Sequence, residues 1–460
     1  MRVLLVHPEE RIRKYDFKGI IENECLDLEY LATVLKDCGH EITIWDGKIE
    51  SVSFEEVLEK TNPEAVYYTG RIFQEHFLLK YAKMAKARNP RILTVIGGLH
   101  AQICFERMYR PYVDIILKSF DVFKVGELLE HAGEIVSKTI PDEIAGMKDI
   151  CYHKGTEWVS NPVEPFDINR LPRPDRTYFY THPENYNYLD LPHAAWVRTA
   201  YSCPYRCKFC TRNRMNAGTY SRRDIADVVD EIAEIQAENI YIVDDDFLFD
   251  EERIRTFIRL IRAKKIKKRY ICYGRSDFIA AHEDLVKALG QIGFYYFLVG
   301  LESIREEDMS GYNKRNTLEN NEKSVSICHR YGVHMMALFI VDLDFKRRDF
   351  HNLYRWIKSH KLKHVAVSIY TPEPGLESFA EYKDTLLTDD MRYFDYLHLV
   401  CKPKNLPIGE YYREYYLLLI RLFMKAKREG VYDFIDYGYY IRTFWRGIFG
   451  IKGKKNGRNK

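Results

Sequence analysis

The sequence has no run approaching the roughly 18 apolar residues that a membrane span requires, no marked excess of either charge, and no internal repeat or low-complexity segment ahead of its last eighty residues. The first absence excludes an apolar transmembrane helix. A formal net charge of +3 over 460 residues gives no general affinity for polyanions, so nucleic acid is not an expected partner. Without repeats, a chain of this length divides into two or three domains, each large enough to bury its own core. "MRVLLVHPEE" opens apolar but meets Glu9, Glu10, Arg11 and Arg13, so it lacks the hydrophobic length and cleavage site of a secretory signal. The expected location is cytoplasmic, where clustered cysteines bind metal or do chemistry more often than they form disulfides. An apolar fraction of 46% and a charged fraction of 30% suit a globular enzyme.

The pattern predicts an α/β protein in four parts. Residues 1–140 alternate short β-rich runs ("RVLLVHP", "EITIWD", "AVYYTG", "RILTVIGG", "DIILKS") with helical periodicity, as at Leu28, Leu31 and Leu35 ahead of a cap at Gly39. "SFEE" at Ser53–Glu56 has the form of a capping box. This reads as a doubly wound, Rossmann-like domain. Its ligand pocket belongs beyond the carboxyl ends of the strands, near Pro8, Thr69, Gly70, Gly97, Gly98, His100 and Gly126, with the glycines letting a large ligand approach the backbone. Residues 141–192 are rich in Pro, Asp, Asn and Tyr, show neither period, and read as a connector. Residues 193–380 resume the alternation at "AAWVRTAY", "NIYIVDDD", "RYICYGR", "FYYFLVGLES", "HMMALFIV" and "HVAVSIYTP", six parallel strand–helix units forming a partial (β/α)6 barrel. One helix is expected to begin at "SRRD", with Val228, Ile232 and Ile235 facing inward. Residues 381–460 are helical and tyrosine-rich, ending in a basic tail.

"YSCPYRCKFCTRN" places Cys203, Cys207 and Cys210 just after the first barrel strand. Thiols at this spacing can each take one iron of a four-iron cluster and leave the fourth iron open to a substrate or cofactor. Structural zinc is the alternative, although it prefers paired CxxC elements or a Cys/His tetrahedron. The other seven cysteines, Cys25, Cys38, Cys104, Cys151, Cys272, Cys328 and Cys401, are expected to be packing residues.

"CPYRCKFC" resembles the signature of radical S-adenosylmethionine enzymes. "IVDDDF", "GLES" and "TPEPG" follow in the order that family shows. "VLLVHP" and "PRILTVIGGLHA" resemble the cobalamin-binding domain fused to one branch of the superfamily, and the barrel is most similar to hopanoid carbon-3 methylases and their relatives. The resemblance implies a 4Fe-4S cluster on Cys203, Cys207 and Cys210, S-adenosylmethionine on its open iron, and cobalamin over the first domain. It implies that a 5′-deoxyadenosyl radical takes a hydrogen atom from an unactivated carbon, which then receives a methyl group from methylcobalamin. An external low-potential donor, flavodoxin or ferredoxin, would reduce the cluster.

Residue roles carry over on the same terms. Asp244, Asp245 and Asp246 would hold the methionine ammonium, or form a solvated acidic turn. Arg275 and Glu302 would meet the methionine carboxylate and the ribose or amino group, or pair with each other across neighbouring strands. Phe209 and the backbone of Phe339–Val341 would flank adenine, or pack in the core. Tyr370, Pro372 and Gly375 would line the substrate mouth, Tyr370 as the candidate catalytic residue. Two departures stand out. The Asp-x-His-x-x-Gly motif that supplies a histidine to cobalt is absent, leaving Arg71 to favour a cobalt with no protein ligand or His76 to coordinate it. "FDVFKVGELL" replaces a Gly-Glu-Gly-Glu turn, so that Gly126 and Glu127 keep half of that contact.

From Tyr437 onward the tail carries seven Lys or Arg and no acid. As a helix it would align Tyr440, Phe444 and Ile448 apart from Arg442 and Arg446, which suits an anionic membrane surface or a helix packed on the barrel. Three functions compete: radical methylation of a small-molecule, lipid or peptide substrate; a cobalamin-dependent cyclisation, oxidation or rearrangement without methyl transfer; and a non-catalytic corrinoid-binding module with structural zinc.

Overall fold

The computed structural model describes residues 1–9, 20–435 and 438. The first of its two main sheets contains β1 (Arg2–His7), β2 (Glu41–Asp46), β3 (Ala65–Thr69), β4 (Leu93–Gly97), β5 (Ile115–Leu117), β6 (Ile150–Lys154) and β7 (Glu157–Ser160). Its order is β2-β1-β3-β4-β5-β6-β7, with β1 to β5 parallel. Strand alternation feeds two cores. Val3 and Leu5 join the helix Leu26–Asp37 on one face, while Leu4 and Val6 join Phe54, Phe77 and Leu78 on the other. Leu28, Leu31 and Leu35 are buried, and Gly39 has the positive φ of 81° expected of a helix-ending glycine. The Ser53–Glu56 box forms: Glu56 N–H donates to Ser53 Oγ at 3.2 Å and Ser53 N–H to Glu56 Oε2 at 2.9 Å. The region read as a connector is more than one, because β6 and β7 form an antiparallel hairpin that extends this sheet beyond residue 140.

The second sheet holds β8 (Ala194–Val197), β11 (Asn239–Ile242), β12 (Arg269–Gly274), β13 (Phe294–Glu302), β14 (His334–Val341) and β15 (His364–Ile369), in that order and parallel throughout. No pairing joins β8 to β15 among the described residues, so the barrel is open. Between β8 and β11, β9 (Ala200–Tyr201) and β10 (Ser221–Arg222) form a short antiparallel ladder. The helix follows "SRRD" directly, as expected, but the ladder moves its cap from Ser221 to the last residue of that stretch. Ser221 belongs to a strand, and the cap is Asp224, whose carboxylate accepts from Ala226 N–H at 2.7 Å and Asp227 N–H at 3.2 Å. Val228 and Ile232 face inward as expected, with Ile235 buried just past the helix end.

A buried ionic cluster joins the sheets. Arg176 pairs with Glu24 of the first domain and, at 2.9 Å, with Glu231 of the barrel, which also receives Arg223 at 2.6 Å. Breaking such a cluster on one side leaves an uncompensated buried charge, which costs about 3–5 kcal/mol. At the amino ends of the barrel strands, Asp190 accepts from Tyr295 at 3.0 Å and Tyr296 at 2.8 Å, and Tyr296 meets His364 Nε2 at 3.1 Å. The helix Ile408–Arg428 closes the other flank: Tyr411 Oη donates to Val341 O at 3.0 Å and Tyr415 Oη to Val367 O at 2.9 Å. Among the described residues no helix is long and apolar enough to cross a membrane. Tyr440, Arg442, Phe444, Arg446 and Ile448 lie outside the described residues.

Candidate functional site

The carboxyl ends of both sheets open onto one cavity of about 550 Å³, lined from the first sheet by His7, Thr69, Gly70, Arg71 and Leu99, and from the barrel by Cys203, Cys207, Phe209, Cys210, Asp245, Asp246, Arg275, Glu302 and Lys314. Pockets of this size accommodate sizeable ligands.

The cysteine loop follows β8 and is tied to the loop after β13. Lys208 N–H donates to Tyr312 O at 3.0 Å, and Asn313 Nδ2 to Arg206 O at 3.0 Å. Cys203, Cys207 and Cys210 are all partly exposed. Burial pushes the Cys203 thiol up to about 12 and raises Cys207 and Cys210 as well. Binding a metal centre releases the protons of such thiols. Among the described residues no three His, Cys, Asp or Glu side chains converge on a single ion, whereas a cubane gives each thiolate its own iron.

The three aspartates after β11 take three different tasks. Asp244 is buried and accepts from Thr199 N–H at 2.7 Å, Ala200 N–H at 2.8 Å and the Thr199 hydroxyl, so it braces the β8–β9 turn and does not line the cavity. Burial raises its pKa to about 6 despite those bonds. Asp245 pairs with Arg212 at 3.1 Å. Asp246 is only 3% exposed, and neither of its carboxylate oxygens has a partner. Burial drives its pKa well above the carboxylate range, and Arg275 only partly offsets this. An unpartnered buried carboxylate at a cavity wall suits an incoming ammonium group.

Arg275 and Glu302 both line the cavity but do not pair with each other. Arg275 grips Asp277 at 2.7 and 2.9 Å, donates to Lys314 O at 2.7 Å and lies 3.9 Å from the centre of the Tyr205 ring. Glu302, at φ 60°, binds Lys314 Nζ at 2.5 Å. Phe209 lines the cavity, its ring edge-on to Tyr312 at 5.2 Å. Phe339 and Val341 do not line it: Phe339 packs on Trp356 in the core, and the Val341 carbonyl is taken by Tyr370 N–H and Tyr411 Oη. Tyr370 is likewise core, stacked on Tyr312 at 6.0 Å and bonded to Tyr382 Oη at 3.4 Å. The segment beyond it does not form the mouth either. Gly375 backs onto Ile103 of the first domain, and Cys104 Sγ donates to Pro374 O at 3.1 Å.

On the first-sheet side, Thr69, Gly70 and the exposed Arg71 form the cavity wall. Pro8 stands behind it, its carbonyl accepting from Gln74 Nε2 at 2.9 Å. The glycines at the end of β4 serve the protein's own packing: a Cβ at Gly97 would lie 2.1 Å from the Tyr67 hydroxyl, and one at Gly98 2.1 Å from Thr69 Oγ1. Gly98 also has φ 82°, which disfavours any side chain there. The β3 and β4 ends therefore close tightly, and Gly98 and Thr69 border a second, narrow slot with Leu31, Tyr67 and Phe120. His100 is withdrawn from the main cavity: its Nε2 meets Glu75 at 2.7 Å, and Arg107 holds the same carboxylate at 2.8 Å. Gly126 is buried against Cys38 and Glu127 is exposed; neither lines the cavity. His76 packs on Phe77 away from it. Six of the seven other cysteines are buried and Cys38 is exposed, against expectation.

Sequence reasoning missed much of the cavity lining, including His7, Tyr205, Arg212 and Lys314. His7 ends β1 with Nδ1 3.5 Å from the buried Asp46, a placement that the "VHP" strand end signals. Lys314 and Tyr205 come from irregular loops and carry no periodic signal.

The model of the Radical SAM superfamily matches residues 197–357, and that of the B12 binding domain matches residues 24–121. The chain thus carries a radical SAM domain and a B12-binding domain. The hopanoid C-3 methylase of Methylococcus capsulatus is 25% identical over 420 residues, which cover 90% of this chain and 78% of that protein. The anaerobic magnesium-protoporphyrin IX monomethyl ester cyclase of Cereibacter sphaeroides is 24% identical, covering 91% and 70%. Among solved structures, the radical S-adenosylmethionine methyltransferase TsrM of Kitasatospora setae has a TM-score of 0.64 at 19% identity, covering 83% of this chain and 76% of that one. The cobalamin-dependent S-adenosylmethionine radical enzyme OxsB has a TM-score of 0.67 at 14% identity, covering 88% and 64%. Both share this arrangement of folds.

The residues present fit the groups that these domains imply. Three partly exposed thiols suit a cluster, the unpartnered Asp246 suits the S-adenosylmethionine ammonium, and Thr69, Gly70 and Arg71 of the B12-binding domain line the same cavity.

Proposed function

We propose that this chain is a cobalamin-dependent radical S-adenosylmethionine methyltransferase acting on an unactivated carbon. One observation carries the reading: thiols, an unpartnered carboxylate and the first sheet's strand ends share a single cavity. When bound, the cofactors supply the electron, the hydrogen-abstracting radical and the methyl group. The chain supplies grip and orientation. Cys203, Cys207 and Cys210 hold the cluster, and Asp246 accepts the methionine ammonium. Arg275, which holds the Tyr205 ring and the Lys314 backbone, would meet the methionine carboxylate. Glu302, held by Lys314, would meet the ribose or amino group. Asp245 and Arg212 neutralise each other and so add no net charge beside the cysteine loop. Arg71 lies on the first-sheet wall of the cavity that would hold cobalamin, and the sequence carries no Asp-x-His-x-x-Gly motif to offer an imidazole.

An external low-potential flavodoxin or ferredoxin is the proposed electron donor, and the basic tail is a proposed peripheral membrane contact of an otherwise cytoplasmic protein. Hopanoid-type lipids, other isoprenoids, tetrapyrroles and peptide side chains are the substrate classes to test. The similarity to the magnesium-protoporphyrin cyclases keeps a second reading, radical chemistry without methyl transfer. Anaerobic turnover with methyl-labelled S-adenosylmethionine decides between them. Label in the product is the expected result; deoxyadenosine formed beside an unlabelled product overturns methylation. Zinc in place of iron in anaerobically purified protein would instead establish a non-catalytic corrinoid module.

A further inference from the structure

The barrel strands bring two layers of side chains to the cavity. Positions on the same face of a strand are two residues, about 7 Å, apart. The upper layer is charged: Arg198, Asp245, Arg275 and Glu302 line the cavity at or just beyond the strand ends. The layer beneath holds Trp196, Tyr241, Val243, Tyr273, Leu298 and Leu338, which line the same cavity and carry no charge. Trp196, Val243 and Tyr273 stand two residues before Arg198, Asp245 and Arg275, and Leu298 stands four before Glu302. The wall therefore turns from charged to neutral within one or two steps along each strand.

Every charge of the upper layer is already matched by the chain. Arg198 pairs with Asp27 at 2.9 Å, Asp245 with Arg212 at 3.1 Å, Arg275 with Asp277 at 2.7 Å and Glu302 with Lys314 at 2.5 Å. Glu24, which also lines the cavity, accepts from Trp196 N–H and from Arg176. The exposed Arg71 belongs to the opposite, first-sheet wall. Beneath the neutral layer, Tyr296 and Met336 close the barrel interior in the same apolar cluster as Tyr241 and Leu298. A carboxylate or ammonium entering the neutral layer would meet no counter-charge, and an unpaired buried charge is strongly disfavoured. A peptide would bring amide groups to a layer whose only side-chain polar atoms are tyrosine hydroxyls and one indole N–H. Its rings instead form a firm apolar floor, Tyr241 lying edge-on to Trp196 at 5.5 Å and to Tyr188 at 5.1 Å. Tyr188 carries that lining outward, since its backbone bridges Ile21, a cavity residue that is 46% exposed.

We propose that this neutral layer is the substrate subsite and that it selects an uncharged, hydrocarbon-rich body. Among the classes named above it selects isoprenoids, hopanoid-type lipids included, over tetrapyrrole acids and peptide side chains. The proposal rests on the reading that the cavity holds a substrate beside its cofactors.

The test is equilibrium binding of two probes that differ in one group, the isoprenoid alcohol retinol and its carboxylate retinoate. Both are titrated anaerobically, without reductant, into the full-length, cluster-loaded protein with S-adenosylmethionine present. Saturable retinol binding, roughly tenfold or more tighter than that of retinoate, is expected. Leu338→Arg, at a half-buried position of the cavity wall, should reverse that order while iron content stays as in the unaltered protein. Val243→Phe, which fills the layer without adding charge, should weaken both probes, and it locates the binding if Leu338→Arg fails to load iron. Retinoate binding as tight as that of retinol, no saturable retinol binding, or retinol binding unchanged in either iron-loaded variant overturns the proposal. Binding is read here without turnover. An unlabelled product in the methyl-transfer experiment therefore removes methylation and leaves the subsite, whereas a preference for retinoate removes the subsite and leaves methylation.

Discussion

The two sheets meet the same cavity by different means. The first domain offers the backbone and small groups of Thr69, Gly70 and Leu99 beside a few charged side chains, among them Asp27 and Arg71, and its His100–Glu75–Arg107 group is turned away from the cavity. The barrel offers thiols, carboxylates and cations on loops after β8, β11, β12 and β13. A wall of backbone suits a broad ligand recognised by shape, and a wall of placed charges suits a small zwitterion recognised group by group. The halves should therefore fail separately when damaged.

The largest effect is expected from Cys207→Ala, which should abolish iron binding and S-adenosylmethionine cleavage while leaving cobalt content intact. Leu99→Trp, which fills the crevice from the other wall, should do the reverse. Anaerobic metal analysis of both variants checks this, and loss of both metals in either one would show that the walls are coupled. A smaller effect separates two adjacent aspartates. Asp246→Asn should weaken S-adenosylmethionine binding about 10- to 100-fold, the loss of one charge-assisted hydrogen bond, with the melting temperature unchanged. Asp244→Ala should instead cost about 1–3 kcal/mol of stability, because it strands the N–H groups of Thr199 and Ala200. Calorimetry and equilibrium binding on the pair read the difference.

A further effect, confined to acid conditions, concerns the amino end of the barrel. Burial, then the neighbouring His334, lowers the His364 pKa from an ordinary 6.5 to about 4. The unfolded chain therefore takes up a proton that the folded one refuses. The stability held by the neutral ring is intact above about pH 6.5 and is lost as pH falls to about 4, at most about 3 kcal/mol. Denaturant titrations of His364→Gln should show a flatter decline across that window than the unaltered protein. Equal slopes would remove His364 from the account.

Much of this was legible in the sequence. The six barrel strands and the five parallel strands of the first domain fall where β-branched runs alternate with helical periods, because burial on both faces imposes that pattern directly. The capping box at Ser53 and the glycine at position 39 are local devices that act through neighbouring backbone, so their spacing suffices. The cysteine loop was legible because the spacing of its thiols is itself the chemical requirement. What misled were strand ends. Asp244, Asp245 and Asp246 look equivalent on the page, yet one braces a turn, one pairs with Arg212 and one is left to the cavity. Gly97 and Gly98 were expected to yield space to a ligand, but Tyr67 and Thr69 occupy it. Tyr370 and Phe339 were expected at the cavity and belong to the core.

Taken alone, the sequence determined the two parallel sheets, their strand positions and the thiol loop, since each depends on periodicity or spacing within a few residues. The tertiary structure alone decided which side chains stand free at the shared cavity. That depends on which hydrogen-bonding partners other segments bring, as Thr199 does for Asp244 and Lys314 for Glu302, and such partners lie 45 and 12 residues away in the chain.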